Sequence, residues 1–128
     1  MTVFFVCAGL LGLLAVGLTM HVGHLRGRKK IFLGDGGDPE MLSAIRAQAN
    51  LLELTPLCLF IIWLLHGPYG NGTIAVLAAI LTVARVLHAG GMLGFYRFGR
   101  AAGATATTVI LAIAAILLIL AGLDIRFY

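Results

Sequence analysis

Three side chains able to bind a charged ligand are spaced along one short stretch of the chain. Arg46, Asn50 and Glu53 are separated by four and three residues. An α-helix turns by about 100° per residue, so this spacing places all three on one stripe. A guanidinium binds a carboxylate bidentately, a carboxylate accepts from an ammonium, and an amide can do either. The stripe therefore suits an amino-acid or peptide-like zwitterion.

A second polar stripe follows about 30 residues later, on the next helix that the pattern predicts. Its members recur at three- and four-residue intervals: Arg85, His88, Met92 and Tyr96. Counted from helix ends predicted near Pro39 and Tyr96, Glu53 lies about 21 Å along its helix and Arg85 about 17 Å along the next. The two side chains can thus meet as an ion pair. On its own, such a pair is equally consistent with a buried structural ion pair that holds two helices together, here called a strut, and with a ligand site.

Charge balance favours the ligand site. One carboxylate, Glu53, cannot neutralise both Arg46 and Arg85, and a surplus buried positive charge calls for an anion. Arg100, or alternatively Arg97, is expected at the mouth of the site. A positive charge there would stabilise a thiolate and lower the pKa of a thiol from about 8.5 toward neutrality.

The elements that must position these residues are membrane-spanning helices. Of the 128 residues, 61% are hydrophobic and 11% charged, and the mean hydropathy is +1.06. This composition is typical of an integral membrane protein. Four apolar stretches, at about 3–25, 39–65, 73–95 and 101–123, are each long enough to cross the hydrocarbon core. We therefore predict one all-α, four-helix membrane domain over residues 1–128, with Asp38 capping the second helix and Pro39 in its first position.

Basic residues are concentrated in the first and third predicted connections. They are Arg26, Arg28, Lys29 and Lys30 in the first, and Arg97 and Arg100 in the third. The middle turn, 66–72, contains no lysine or arginine. The positive-inside rule therefore places both basic connections in the cytoplasm and both termini on the opposite side. The net charge of +4 is explained by anionic membrane lipid and requires no nucleic acid.

Metal and thiol chemistry of the protein itself have little support. Cys7 and Cys58 lie inside apolar stretches, where a cysteine usually serves as a small hydrophobic residue. His21 and His24 would supply two metal ligands, which is an incomplete site. We expect no metal centre.

The stretch Arg46–Pro56 resembles the second-helix signature of the membrane-associated proteins in eicosanoid and glutathione metabolism, the MAPEG family. This family includes microsomal glutathione transferases, leukotriene C and prostaglandin E synthases, and bacterial relatives. The four-span plan and the basic cytoplasmic connection extend the resemblance over nearly the whole chain. Two positions depart from the family pattern, since Leu54 and Met92 stand where several members have tyrosine.

The resemblance implies a homotrimer with glutathione bound between neighbouring protomers near the cytoplasmic side. Arg100, at the start of the fourth helix, would activate the glutathione thiol, with Arg97 as the alternative. Arg85 and His88 match the Arg-x-x-His variant of the prostaglandin branch. The glutathione-binding residues would be Arg46, Gln48, Asn50, Glu53, Arg85, His88 and Tyr96.

The function expected from this resemblance is that of a membrane-bound glutathione transferase or peroxidase, acting in detoxification on a lipophilic substrate. One alternative is a non-catalytic scaffold that binds glutathione or lipid. Another is a small proton-coupled multidrug exporter, which would also have four spans and a membrane carboxylate. Such exporters usually carry that glutamate in the first helix and lack clustered intramembrane arginines.

Overall fold

Four long helices form the protein in the computed structural model, which describes residues 1–124. They are α1 (Thr2–Lys29), α2 (Pro39–Leu64), α3 (His66–Met92) and α4 (Gly99–Gly122). Each has 24 to 28 residues and is long and apolar enough to cross a membrane. The all-α, four-helix membrane architecture predicted from the sequence is confirmed.

α2 and α3 form the centre of the bundle. α1 packs on both of them from one side and α4 packs on both from the other, and within residues 1–124 no contact joins α1 to α4. The interior is filled by aliphatic residues such as Leu11, Leu51, Ile62 and Leu81, each at most 2% exposed. Large apolar side chains also cover the outer faces. In a bilayer these faces contact lipid, so their exposure carries no penalty.

The connection between α1 and α2 is fixed by a cap and by ion pairs. Asp38 is the N-cap of α2, and its Oδ1 accepts a hydrogen bond from the backbone N–H of Met41 at 2.8 Å. Its Oδ2 lies 2.7 Å from Nζ of Lys29, which also pairs with Glu40 at 2.7 Å. Arg28 reaches Glu40 at 2.9 Å. The end of α1 and the start of α2 are therefore held together electrostatically.

The charge of Asp38 should make the stability of the protein depend on pH in acid. The hydrogen bond from Lys29, and then that from the N–H of Met41, lower the pKa of Asp38 from its usual 3.8. A carboxyl with a lowered folded-state pKa contributes stability above its unfolded pKa, and this is lost as the pH falls through the folded pKa. We expect the thermal unfolding midpoint in detergent to decrease below about pH 4. Asp38→Asn keeps a side chain that can cap α2 but removes the charge, so the thermal midpoint of this variant should depend less on pH below about pH 4. The same dependence on pH as in the wild type would contradict this role of Asp38.

α3 differs most from its predicted bounds of 73–95. It begins at His66, with a single residue between it and the end of α2, and contains a break at Gly70, where φ is +74°. At the other end it stops at Met92, shortly before Gly94 takes a φ of +87°. Tyr96 consequently lies in the connection to α4. The prediction that Tyr96 continues the polar face of α3 was wrong, because the helix ends four residues earlier.

Candidate functional site

A cavity of about 590 Å³ lies between α2, α3 and α4, at the end of the bundle where the basic connections emerge. Its charged and hydrogen-bonding lining includes Arg46 and Asn50 from α2, His88 from α3 and Arg100 from the first turn of α4. The remaining lining residues are Leu42, Ser43, Met92, Ala101, Ala104 and Thr105. Among residues 1–124, two guanidinium groups and no carboxylate therefore line the cavity. Four of the predicted site residues are brought together here.

Arg85 lies inside the bundle with 0% of its surface exposed. Its Nη2 donates to Oδ1 of Asn50 at 2.7 Å, and its Nη1 donates to Oγ1 of Thr107 at 3.4 Å. The Thr107 hydroxyl in turn donates to the carbonyl oxygen of Gly103 at 2.8 Å. Nε of Arg85 has no partner among the described residues. These bonds join α2, α3 and α4 beside the cavity.

The bond from Arg85 also fixes the orientation of the Asn50 amide. A guanidinium has only donors, so the amide atom that faces it must be the oxygen. The NH₂ group of Asn50 is then the part left for a ligand in the cavity that this residue lines. Asn50 can thus donate to a carboxylate or to a peptide carbonyl.

The ion pair between Glu53 and Arg85 that the helix depths allow is not formed within residues 1–124. The salt bridges among residues 1–123 all lie at the connection between α1 and α2. Glu53 is exposed, since it is rotated by about 60° around α2 from Asn50, the residue that meets Arg85. Arg85 consequently has no carboxylate partner in the described chain. Glu53 is available to a group outside the protomer.

His88 offers a hydrogen-bond acceptor to the cavity. It is 5% exposed, and its Nδ1 lies 3.0 Å from the backbone carbonyl oxygen of Arg100. A carbonyl oxygen only accepts, so Nδ1 carries the proton and Nε2 of the neutral ring is the acceptor. Within residues 1–124, Nε2 has no partner although it is buried. A buried polar atom without a partner, next to a cavity, indicates a place for a ligand donor.

Glycines place His88 beside Arg100 by letting α3 and α4 touch through their backbones. A Cβ at Gly103 would collide with the carbonyl oxygen of Ala84 and lie 2.6 Å from the backbone nitrogen of His88. A Cβ at Gly91 would collide with the backbone nitrogen of Arg100. Side chains at these positions would separate the two helices. The close approach is therefore a requirement of the site as well as of the fold.

Besides Glu53, three predicted site residues lie away from the cavity. Nε2 of Gln48 donates to the hydroxyl of Thr19 on α1 at 2.8 Å. The ring of Tyr96 covers Gly90, where a Cβ would lie 2.7 Å from its Cε2. Arg97 is exposed in the connection between α3 and α4. Of the two candidate arginines, Arg100 is the one that lines the cavity.

The sequence interpretation missed three hydroxyl residues. Thr107 supports Arg85, while Ser43 and Thr105 line the cavity. Two of them carried a usable signal: Ser43 precedes Arg46 by three residues, and Thr107 follows Arg100 by seven, so each shares a helical face with a predicted site residue. Small hydroxyl residues are common in membrane helices, which is why the signal is weak on its own.

Comparison with known proteins identifies the family. Comparison with curated proteins gives no match. The model of the MAPEG family matches residues 4–120, which includes α2 and α3, nearly all of α1 and α4, and every residue that lines the cavity. The match covers nearly the whole chain and agrees with the resemblance seen at Arg46–Pro56. This chain therefore belongs to the MAPEG family.

Proposed function

We propose that this protein is a membrane-bound, glutathione-dependent transferase or peroxidase that acts on a lipophilic substrate. The observation that carries the proposal is the cavity lined by Arg46 and Arg100, with no carboxylate from the described part of the chain. Glutathione has two carboxylates and one ammonium, so its net charge at neutral pH is complementary to this lining. The cavity volume of about 590 Å³ is also within the usual range for small-molecule sites.

The residues of the site fit the separate parts of glutathione. Arg46 suits a carboxylate, because a guanidinium binds it bidentately. The amide NH₂ of Asn50 suits a carboxylate or peptide carbonyl, and the partnerless Nε2 of His88 suits a peptide N–H or the thiol. Glu53, which is exposed on the same stripe of α2, suits the ammonium. Such fixed contacts would hold the thiol in one place relative to the substrate.

Arg100 is the residue we assign to the chemistry. Its guanidinium would stabilise the thiolate, while the thiol proton leaves to water. In conjugation the thiolate sulfur attacks an electrophilic carbon, a carbon–sulfur bond forms, and a leaving group departs or a strained ring opens. With a hydroperoxide the sulfur attacks the terminal oxygen, the oxygen–oxygen bond breaks and an alcohol is released. A second glutathione then converts the sulfenic acid to the disulfide and water.

A homotrimer would complete the site. Arg46, Glu53 and Arg100 are all exposed in the single protomer, although they belong to or border apolar spans. A charge at the centre of a membrane helix costs about 2.5 to 3.5 kcal/mol on insertion scales unless it faces protein or a wet cavity. A neighbouring copy packed over this face would cover the cavity. With both basic connections in the cytoplasm, the site opens toward the compartment that contains reduced glutathione.

The proposal is tested by titrating the purified protein in detergent with glutathione while the ultraviolet absorbance of the thiolate is followed. We expect saturation below millimolar glutathione and a thiolate signal near neutral pH, where free glutathione gives little. S-methylglutathione is the matched control, since it should compete for the site without a signal. Turnover is then measured with lipophilic electrophiles and hydroperoxides.

Absence of binding at millimolar glutathione would contradict the proposed function. Binding without turnover on any of these substrates would instead assign the protein to the non-catalytic scaffolds. One departure of the cavity makes that comparison worth performing, since Met92 lines it in place of the tyrosine of several relatives.

A further inference from the structure

A second, smaller cavity lies between α1 and α2, and none of its lining residues lines the first. Its volume is about 230 Å³, or room for about seven or eight groups of the size of a water molecule. Three of its residues, Gly12, Leu52 and Pro56, are exposed on the surface of the single chain, so the cavity is open at that surface. Among the described residues its lining is made of leucine, alanine, glycine and proline, except for one hydroxyl group, that of Thr55.

The Thr55 hydroxyl has no hydrogen-bond partner among residues 1–124, although the residue is only 6% exposed. Five other helical threonines each donate to the carbonyl oxygen four residues earlier, and these are Thr19, Thr73, Thr82, Thr107 and Thr108. This is the usual way in which a threonine hydroxyl is satisfied inside a helix. Thr55 departs from that pattern at a position that borders the cavity.

A backbone carbonyl one turn away lacks its regular helical donor. Pro56 has no N–H, so the carbonyl oxygen of Leu52 lacks the donor that a regular helix would supply. Leu52 lines the same cavity. The cavity thus combines apolar walls with a hydroxyl that can donate and accept and a carbonyl that can accept. A hydrocarbon would leave both groups unpaired, and a polar molecule would not match the walls.

We propose that this cavity binds a lipophilic alcohol, a hydrocarbon chain that carries one hydroxyl group. The ligand hydroxyl would accept a hydrogen bond from Thr55 and donate one to the carbonyl of Leu52, while its chain would contact the leucine and alanine side chains. The ligand would enter from the bilayer, where such molecules partition. This site is independent of the glutathione cavity and of the function proposed for it.

Photolabelling tests the proposal on the full-length protein in lipid nanodiscs. The probes are an eight-carbon alcohol that carries a diazirine and the matching diazirine alkane without the hydroxyl. We expect the alcohol to label residues 8–15 and 51–59 at least about tenfold more than the alkane, because only the alcohol satisfies both groups. Thr55→Val should reduce labelling by the alcohol to the level of the alkane, whereas Thr55→Ser should retain it.

Two controls keep the result interpretable. Thr55→Val removes a hydroxyl that has no partner among residues 1–124, so the thermal midpoint of this variant should equal or exceed that of the wild type. Pro56→Ala restores an N–H that can donate to the Leu52 carbonyl, so this variant should also show reduced labelling by the alcohol. Glutathione binding should be unchanged in both variants. Equal labelling by the alcohol and the alkane would show that the cavity does not recognise the hydroxyl group, and would overturn the proposal. Alcohol labelling that is insensitive to Thr55→Val and Pro56→Ala would overturn it as well.

Discussion

Replacing Arg100 with leucine is expected to remove most of the glutathione-dependent activity while glutathione still binds. Arg100 lines the cavity from the first turn of α4 and has an exposed side chain, so it can reach a ligand that enters there. Without its guanidinium, the pKa of the bound thiol should return toward about 8.5, and little thiolate would exist at neutral pH. Loss of one such stabilising donor typically lowers kcat by about 10²–10³-fold. The thiolate absorbance and the pH dependence of kcat measure this directly.

Arg97 supplies the matched control for this experiment. It is also an exposed arginine, three residues earlier in the connection that precedes α4, yet it does not line the cavity. Arg97→Leu should therefore leave the thiolate signal and kcat close to those of the wild type. The backbone carbonyl of residue 100, which holds His88, is retained in Arg100→Leu, so the ring should keep its place. An inactive Arg97→Leu together with an active Arg100→Leu would transfer the assignment to Arg97.

The parts of the structure that could be predicted from the sequence depend on local rules. The thickness of the hydrocarbon core sets how long an apolar run must be, and this alone predicts four spanning helices. Asp38 and Pro39 mark the start of α2 because capping chemistry is local. Helical periodicity correctly placed Arg46 and Asn50 on one face, and both line the cavity with His88.

The parts that could not be predicted depend on tertiary packing. α3 ends at Met92, shortly before Gly94 takes a positive φ, although the apolar pattern of the sequence continues beyond this point. Tyr96 therefore lies outside the helix. The partner of Arg85 depends on the rotation of α2 about its axis. The depth of Glu53 along α2 allowed it to be the partner of Arg85, but the rotation of α2 about its axis places Asn50 against Arg85 instead. Helical periodicity predicts which residues share one face of a helix, whereas the packing of neighbouring helices determines which of those residues contact the next helix.

Replacing Arg85 with methionine is expected to weaken glutathione binding by about tenfold or more while the protein remains folded. The reason is that Arg85 orients the Asn50 amide and adds a positive charge beside an anionic ligand. Its loss removes a charge-assisted hydrogen bond worth about 1.5–3 kcal/mol to the fold. It also removes a buried guanidinium that has no carboxylate partner among residues 1–124. The desolvation of such a group costs on the order of several kcal/mol. The two terms oppose each other, so the thermal midpoint should stay near that of the wild type or rise.

This opposition separates a ligand-orienting role for Arg85 from that of a structural strut. A strut would make the thermal midpoint and the glutathione affinity fall together, and that result in Arg85→Met would contradict the present assignment. Thr107→Val is the matched control, since it removes the longer 3.4 Å bond from Arg85, together with the threonine's own bond to the Gly103 carbonyl, and leaves the bond from Arg85 to Asn50. Its affinity for glutathione, measured by calorimetry in detergent, should stay within about threefold of the wild type because the Asn50 amide keeps its orientation.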